Sequence, residues 1–404
     1  MKFRLGPTVA SALLLGELSP LRATPVETQF HGGPTHLGVF DAPSPGNLLR
    51  TVWTFDAGNV VISSPVVAGR SVYVGTKGGR MLALDKLSGS LQWQFSADGP
   101  ITATVAVANG WLFFQSTANT VYALDATTGR LLWQQATGPT VRFSSIPSLE
   151  SAHLPEGTNF DYWTSSPLYA DGVVYIGSGD SNIYALRAGD GHIDWKFKTG
   201  NRVRATPATD GDRIYVGGFD GVMYALDRAT GKAIWSFKTK GNSYFPVGSI
   251  QSAAAIAGDL VLFGSRDYRL YALDARTGKE VWENLHKDSW VPATPAVKDE
   301  RVYTPSSDGH FIRCTDLKTG TEIWTAPTDF AVFSAPAVSS ESLYAGTLGG
   351  MIVRVRLADG KTSGITLEAP ILTAPWIDSG VIYFATNDGI IYALADGIPP
   401  KRSH

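Results

Sequence analysis

The sequence contains one cysteine, Cys314, in 404 residues. A single cysteine excludes an intrachain disulfide and a zinc site built from several cysteine ligands. Charged residues make up only 17% of the chain, and 34 Lys and Arg stand against 36 Asp and Glu. Without a basic excess the chain lacks the positive field that neutralises phosphates, so nucleic-acid binding is not expected as its main role. No stretch reaches the roughly 18 consecutive apolar residues that a membrane-spanning helix requires.

The N-terminus combines a basic start with a short apolar run, as secretory signal peptides do. Residues 1–4 carry two basic side chains, residues 9–15 are mainly apolar, and residues 21–23 resemble a weak cleavage site. We therefore predict that residues 1–24 are a signal peptide or a disordered leader. Export would place the protein in the periplasm or outside the cell, with the cytoplasm as the alternative.

A repeat of about 40 residues runs through most of the chain, and such a period indicates an array of equivalent structural units. Each copy has a segment ending in Ala-Leu-Asp or a degenerate form of it, and in six copies a glycine turn and then a tryptophan follow. The tryptophans at this position are Trp93, Trp133, Trp195, Trp235, Trp282 and Trp324. Trp53 lies in a similar context ahead of the first copy. The Ala-Leu-Asp type of segment occurs eight times.

Each copy divides into four short β-rich runs separated by Gly, Asp and Asn, a pattern typical of strands joined by tight hairpins. In the fourth copy these runs cover 204–209, 213–218, 222–227 and 232–237. Four antiparallel strands in each of eight copies predict an all-β protein, an eight-bladed β-propeller.

The two ends of the array indicate how the ring closes. The last copy has three runs, and one isolated run, 49–55, precedes the first copy. Pairing this N-terminal strand with the C-terminal blade would complete four strands and remove an exposed edge, which favours a closed ring over an open solenoid. The predicted propeller covers residues 49–396, preceded by an extension at 25–48 and followed by a tail at 397–404.

The repeat resembles that of the pyrroloquinoline-quinone-type (PQQ-like) propellers, within the wider superfamily of WD40- and YVTN-like repeats. Its Ala-Leu-Asp, Thr-Gly and Trp elements recur at fixed offsets over about residues 49–396, and the segment 31–40 (HGGPTHLGVF) resembles the lead-in of such bacterial proteins. The resemblance implies that the tryptophans dock between adjacent blades. Gly364 occupies the Trp position of the seventh copy, so we predict a looser seam there. The general form is closest to the outer-membrane assembly factor propellers.

The inner strands of a propeller line its channel, so the side chains at the channel mouth follow from an alignment. The eight inner segments are VVISSP, PITATV, YWTSSP, RVRATP, SIQSAA, WVPATP, AVFSAP and PILTAP. Alternation sends the second residues into the blades and the first and third toward the channel. Together with the aromatic residues near an insertion at 138–162, this predicts the ligand-binding candidates Tyr162, Trp163, Thr164, Arg202, Arg204, Gln251, Trp290 and Phe333.

Arg202 and Arg204 face the channel on one strand, which suggests a site for an anionic group. The alternative is that Asp161, Asp180 or Asp220 on neighbouring loops pairs with them. Loops of the same face carry candidates for acid–base chemistry, which are His153, His286, His310, Asp161 and Asp288. Solvated loop histidines are the simpler interpretation of these positions. No spacing indicates a metal site, and none is predicted.

Three functions fit these observations. The first is a quinone-dependent dehydrogenase, but the resemblance implies a disulfide between adjacent cysteines and calcium-binding acids in the channel, which this sequence lacks. Neither PQQ nor another cofactor is therefore expected. The second, which we favour, is a soluble, monomeric, non-enzymatic binding or scaffold module that contacts a protein partner through its loop-rich channel face. The third is a small-molecule-binding or enzymatic propeller for an oxygenated or anionic ligand at the channel mouth.

Overall fold

The computed structural model describes residues 27–46, 49–141 and 163–397. These residues form eight four-stranded antiparallel sheets arranged as the blades of one propeller, and the predicted fold is confirmed. A short 3-10 turn, Phe30–Gly32, precedes the first strand. Across the described ranges, no helix has the length and apolar character needed to cross a membrane.

The strands follow one another from the centre of each blade to its edge. Blades 1 to 4 consist of β2 (Val66–Ala68), β3 (Ser71–Gly75), β4 (Arg80–Asp85), β5 (Leu91–Ser96); β6 (Ala106–Ala108), β7 (Trp111–Gln115), β8 (Thr120–Asp125), β9 (Leu131–Ala136); β10 (Leu168–Ala170), β11 (Val173–Gly177), β12 (Asn182–Arg187), β13 (Ile193–Lys198); β14 (Ala208–Thr209), β15 (Arg213–Gly217), β16 (Val222–Asp227), β17 (Ala233–Lys238). Blades 5 to 8 consist of β18 (Ala255–Ala257), β19 (Leu260–Gly264), β20 (Arg269–Asp274), β21 (Glu280–Leu285); β22 (Ala296–Lys298), β23 (Arg301–Pro305), β24 (Phe311–Asp316), β25 (Glu322–Pro327); β26 (Ala337–Val338), β27 (Ser342–Gly346), β28 (Met351–Arg356), β29 (Thr362–Thr366); β30 (Trp376–Asp378), β31 (Val381–Ala385), β32 (Ile390–Asp396) and β1 (Leu49–Asp56).

The ring closes as the sequence predicts. Strand β1 pairs antiparallel with β32, from Leu49 opposite Asp396 to Asp56 opposite Ile390, and it supplies the fourth strand of blade 8. Its Trp53 is only 7% exposed. The first and last strands of the propeller are therefore joined to each other by backbone hydrogen bonds, which close the ring.

The innermost strands are shorter than the sequence predicted. In blade 4 the ladder covers only Ala208–Thr209, whereas the predicted run began at residue 204. Pro207 precedes the ladder, and proline has no N–H to donate to a neighbouring strand. Side chains hold the preceding residues instead. In blade 1, for example, the Ser63 hydroxyl donates to the Gly75 carbonyl (3.1 Å) and accepts from its N–H (2.8 Å).

Tryptophans of the outer strands contact the next blade. Each indole Nε1 donates to a backbone carbonyl of that blade at 2.7 to 3.2 Å, from Trp53 to Lys86 through to Trp324 to Leu357. A glycine of the next turn packs on the ring. A Cβ on Gly129 would lie 2.6 Å from the Trp93 ring, and the φ of Gly129 is +72°.

A matched pair of glycine substitutions should measure this ring contact. Both Gly129 and Gly110 lie in blade 2 with positive φ (+72° and +78°), but nothing lies within 4 Å of a Cβ on Gly110. Gly110→Ala should cost about 1–2 kcal/mol of unfolding free energy through backbone strain alone. Gly129→Ala should cost at least ~1 kcal/mol more, because the methyl group displaces Trp93. Equal losses in urea unfolding would show that the ring contact contributes nothing.

The segment 28–46, called the N-terminal segment here, follows the ring of blades around the channel on the face that carries the turns between first and second strands. We call this the bottom face and the opposite one the top face. The segment bonds to the inner strands of blades 2 to 7, with Thr28 pairing with Val107, Gln29 with Tyr169, Pro34 with Thr209, Thr35 with Ile256, Leu37 with Val297 and Gly38 with Val338. It then reaches blade 8, where the Gly46 N–H donates to Asp396 (2.6 Å).

The seam between blades 7 and 8 is spanned by this same segment. Blade 7 has Gly364 where other blades have tryptophan. The hydroxyl of Tyr344 donates to the Pro45 carbonyl, whereas the equivalent Tyr215 donates to Ala275 of the next blade. Phe40 packs edge-on against Trp376 of blade 8 at 4.9 Å. The N-terminal segment thus supplies contacts that the next blade supplies elsewhere.

Candidate functional site

Two layers of inner-strand side chains surround a central cavity with an empty volume of about 560 Å³. The upper layer, nearer the top face, comes from the third residues of the aligned segments and includes Thr164, Arg204, Gln251 and Phe333. The lower layer comes from the fifth residues, and it consists of Ser64, Thr104, Ser166, Thr206, Ala253, Thr294, Ala335 and Ala374. Second residues such as Val203 and Ile250 are fully buried in the blades. Phe30 of the N-terminal segment lines the bottom end.

Hydroxyl groups of the lower layer link neighbouring blades. The backbone N–H of Ser166 donates to Thr206 (3.1 Å), that of Ala253 to Thr294 (3.1 Å), and that of Ala374 to Ser64 (2.9 Å). The N–H of Thr104 donates to the Ser166 hydroxyl in the same way (3.0 Å). Each of these hydroxyl oxygens accepts a hydrogen bond from a backbone N–H of the adjacent blade, which would otherwise have no acceptor.

Trp163 crosses the upper end of the cavity. Its indole Nε1 donates to the Ile62 carbonyl of blade 1 at 3.1 Å, although Trp163 itself precedes blade 3. The indole also stacks on Phe333 of blade 7 with centroids 6.4 Å apart. In the other inner segments the side chain at the second position points into the blade. Trp163 occupies this position in its own segment but lies across the channel, and it narrows the channel mouth.

Arginine side chains concentrate on one side of the mouth. Arg266 is 3% exposed and donates to Gln251 Oε1 at 2.7 Å. Its guanidinium lies 5.0 Å from the Phe219 centroid and 4.7 Å from that of Trp290. The Arg202 guanidinium also lies near the Phe219 ring, 5.2 Å from its centroid. These cation–π contacts fix the planes of two guanidinium groups and hold the Gln251 amide in place.

A row of aromatic side chains extends from the channel mouth to the exposed top face. We call Trp163, Phe333, Trp290, Phe245 and Tyr244 the aromatic ridge. Its successive centroids are 6.4, 6.4, 5.2 and 4.9 Å apart. Phe333, Trp290 and Phe245 are buried and Trp163 is partly buried, but Tyr244 is 65% exposed.

The predicted binding residues occupy different parts of this arrangement. Trp163, Thr164, Arg204, Gln251 and Phe333 line the cavity. Trp290 belongs to the aromatic ridge, and Arg202 is buried at the mouth. Tyr162, His153 and Asp161 lie outside the described residues. Of the acids proposed as alternative arginine partners, Asp180 accepts from Tyr184 (2.5 Å) and Asp220 from Tyr224 (2.6 Å).

His286 is buried, and the interpretation as a solvated loop histidine was wrong for it. The residue follows the outer strand of blade 5, its side chain is fully inaccessible, and its Nε2 lies 3.1 Å from the Thr304 hydroxyl. The ring packs against Phe311 at 5.4 Å. Burial, with a smaller contribution from the charge on Arg313, lowers the pKa of His286 to about 3. The ring is therefore neutral near pH 7.

The other described acid–base candidates are exposed. Asp288 and His310 both have positive φ, 48° and 53°, and lie in tight turns of the top face. The His310 ring is 6.0 Å from that of Phe330. Within the described ranges, no group of three or more His, Cys, Asp or Glu side chains could hold a metal ion.

Several site residues were missed by the sequence reasoning. The same alternation that selects third residues also selects fifth residues, so the hydroxyl layer was available from the alignment. Arg266 and Phe245 lie on loops with no repeat signal, and only their three-dimensional contacts reveal them. Phe30 lies in the N-terminal segment, whose course has no periodic pattern.

The fold and the channel define the class as an eight-bladed PQQ-like repeat propeller. The family model described as "Outer membrane protein assembly factor BamB" matches residues 50–158 and 152–361. The chain belongs to this family. No curated protein sequence matches it.

Solved structures share the fold at low identity. BamB from Moraxella catarrhalis is 18% identical with a TM-score of 0.67, covering 86% of this chain and 100% of that one. A europium-containing methanol dehydrogenase is 17% identical with a TM-score of 0.70, covering 91% and 89%. The quinohemoprotein alcohol dehydrogenase from Comamonas testosteroni is 15% identical with a TM-score of 0.71, covering 92% and 81%.

The residues of this channel do not fit a quinone held with a metal ion. The described cavity lining includes no carboxylate, and Trp163 crosses the channel with its indole bonded to Ile62. Cys314 is buried in β24, where burial raises the pKa of its thiol to about 12. A thiol in that position is remote from the channel mouth and is inert as a nucleophile near neutral pH.

Proposed function

We propose that this protein is a non-enzymatic scaffold that binds a protein partner on its top face. The observation that carries the proposal is the aromatic ridge, which links the rigid channel mouth to an exposed tyrosine. Aromatic side chains are enriched at the centres of protein interfaces, where they supply large contact area at low entropic cost. The family description supports a partner in outer-membrane protein assembly, and a periplasmic location is part of the proposal.

The top face presents further exposed apolar side chains beside the ridge. Phe330, in the loop after β25, and Leu285, at the end of β21, are each 53% exposed. Asp288 and Asp308 are exposed nearby, and their charges help to raise the pKa of the Tyr268 hydroxyl, where burial is the largest cause. An apolar centre with a polar rim is the usual anatomy of a protein interface.

A quinone-dependent reaction is not part of the proposed function. The carboxylate-free cavity lining and the position of Trp163 favour this choice. Adding PQQ and calcium to the purified protein should therefore produce no dye-linked oxidation of alcohols or sugars.

Site-specific photocrosslinking in cells tests the scaffold proposal. A photoreactive residue at Tyr244 or Phe330 should give one discrete protein adduct, identified by mass spectrometry as a component of outer-membrane protein assembly. The control position is Leu87, which is 69% exposed but lies in a turn of the bottom face. An adduct of equal yield from Leu87, or none from the two top-face positions, would contradict the proposal.

The partner so identified should then bind a variant of the exposed top face more weakly. Tyr244→Ser with Phe330→Ser should reduce the affinity by about 10- to 100-fold, the effect of removing one or two interface anchors. Leu87→Ser should leave it unchanged. Calorimetric titration measures the affinities, and the melting temperatures of both variants show whether the fold is retained.

A further inference from the structure

The cavity beneath Trp163 is chemically two-sided. One wall carries hydrogen-bond donors, from the hydroxyls of blades 3 and 4 to the Gln251 amide and Arg204. The opposite wall is apolar and consists of Phe333, Leu372, Ala335 and Ala374. The empty volume of about 560 Å³ includes space that is open to solvent at the mouth.

Four hydroxyl groups of the lower layer accept a hydrogen bond but do not donate one. Ser64, Ser166, Thr206 and Thr294 each use an oxygen lone pair to accept a backbone N–H. Within the described part of the chain, none of these four hydroxyls donates a hydrogen bond in return. Since a hydroxyl offers one donor as well as its acceptors, four O–H groups are available to a molecule in the cavity.

Gln251 adds an amide donor of the same kind. Its Oε1 is held by Arg266 at 2.7 Å, which fixes the orientation of the amide. Its Nε2 is buried and has no hydrogen-bond partner among the residues that the structure describes. A buried, oriented N–H without an acceptor is costly unless something satisfies it.

From this imbalance we infer that the cavity is a binding site for a small organic molecule with carboxylate or carbonyl oxygens at one end and an apolar body. The acceptor oxygens face the Gln251 amide and the hydroxyls of Ser166 and Thr206, and the apolar body packs on Phe333 and the alanines. Trp163 lies over the entrance from the top face. The site does not depend on the proposed protein partner, because the ligand would lie inside the channel, whereas the partner would contact Tyr244 at the exposed end of the aromatic ridge.

Three small probes of similar size test whether the cavity prefers a molecule that accepts hydrogen bonds. Butyrate and butyramide both offer acceptor oxygens, whereas butylammonium offers only donors. Saturation-transfer NMR on the full chain should show butyrate or butyramide binding with a Kd of about 1 mM, as expected for so few heavy atoms. Whichever of the two binds more tightly distinguishes a charged from a neutral ligand. Butylammonium binding as tightly as both would overturn the inference, as would no binding by any probe.

The variant Gln251→Glu tests the role of the Gln251 amide donor directly. It keeps an oxygen for Arg266 but replaces the Nε2 donor with a second carboxylate oxygen, which repels acceptor ligands. Binding of the better probe should weaken at least about tenfold, the weight of one charge-assisted hydrogen bond. Gln94→Glu is the matched control, because Gln94 also accepts from an arginine, Arg80 (3.4 Å), on an exposed outer strand.

A second variant fills the cavity without changing its charge. Ala335→Leu should exclude the probes while Gln94→Glu still binds them, and its melting temperature shows that the fold survives. If neither Gln251→Glu nor Ala335→Leu alters binding, the probes bind elsewhere and the inference is wrong.

Discussion

Removal of residues 27–56 should open the ring and lower the melting temperature by about 10 °C or more. The deletion takes away β1, the buried Trp53 and the segment that bonds to seven blades. Loss of one buried tryptophan alone costs roughly 3–5 kcal/mol, and each kcal/mol corresponds to about 1–2 °C for a propeller of this length, because the entropy of unfolding grows with the number of residues. The lost backbone hydrogen bonds of β1 and of the N-terminal segment add to this shift. Calorimetry of a chain starting at residue 57, compared with one starting at residue 27, measures the change.

One intermediate deletion separates the contribution of the N-terminal segment from that of β1. A chain starting at residue 47 lacks the N-terminal segment but keeps β1, and it should lose part of the stability. If the chain starting at residue 57 has the same melting temperature as the chain starting at residue 27, the ring does not depend on β1 for closure.

Acidification from pH 7 to pH 5 should remove about 2–4 kcal/mol of unfolding free energy. Burial is the main cause that lowers the pKa of both His36 and His286 to about 3, from an ordinary value of 6.5. Between these two values the unfolded chain binds a proton at each histidine and the folded chain does not. Stability is therefore complete above pH 6.5 and falls as the pH decreases toward 3, by about 1.4 kcal/mol per pH unit for each histidine.

Histidine variants separate this effect from general acid denaturation. Burial also lowers the pKa of His31, which contacts the carbonyls of His36 and Pro336. His36→Asn and His286→Asn should each flatten the dependence of urea unfolding on pH between 6.5 and 5, whatever their effect at pH 7. His192→Asn, at an exposed position, should leave the slope unchanged. A slope that persists in the double variant would assign the loss to other groups.

The fold was predictable because the same sequence signals recur in most of the copies. The eight Ala-Leu-Asp segments, the glycine turns and the tryptophans give the same answer wherever they occur, and the isolated run before the first copy predicts closure through β1. The inner strands were predicted too long because side-chain hydroxyls, such as that of Ser63, bond to the residues ahead of the backbone ladder in place of a paired strand. A propensity pattern does not distinguish these two kinds of bonding.

The candidate site was predictable only in part, because much of it breaks the repeat. Thr164, Arg204 and Gln251 follow from the alternation of inner-strand residues. Trp163 does not, since its indole leaves the blade and bonds to Ile62 across the channel. His286 was misread because its position in a loop suggested solvent, whereas its packing against Phe311 is a property of the assembled blade.

The course of the N-terminal segment constrains the order in which the chain can fold. Residues made first bond to partners made last, as His31 does with Pro336, 305 residues further along the chain. During synthesis β1 and the segment must therefore wait, with unpaired backbone groups, until blade 8 exists. Non-local contacts of this kind slow folding and expose strand edges to aggregation. The N-terminal segment and β1 are therefore the parts of the ring that remain longest without their partners.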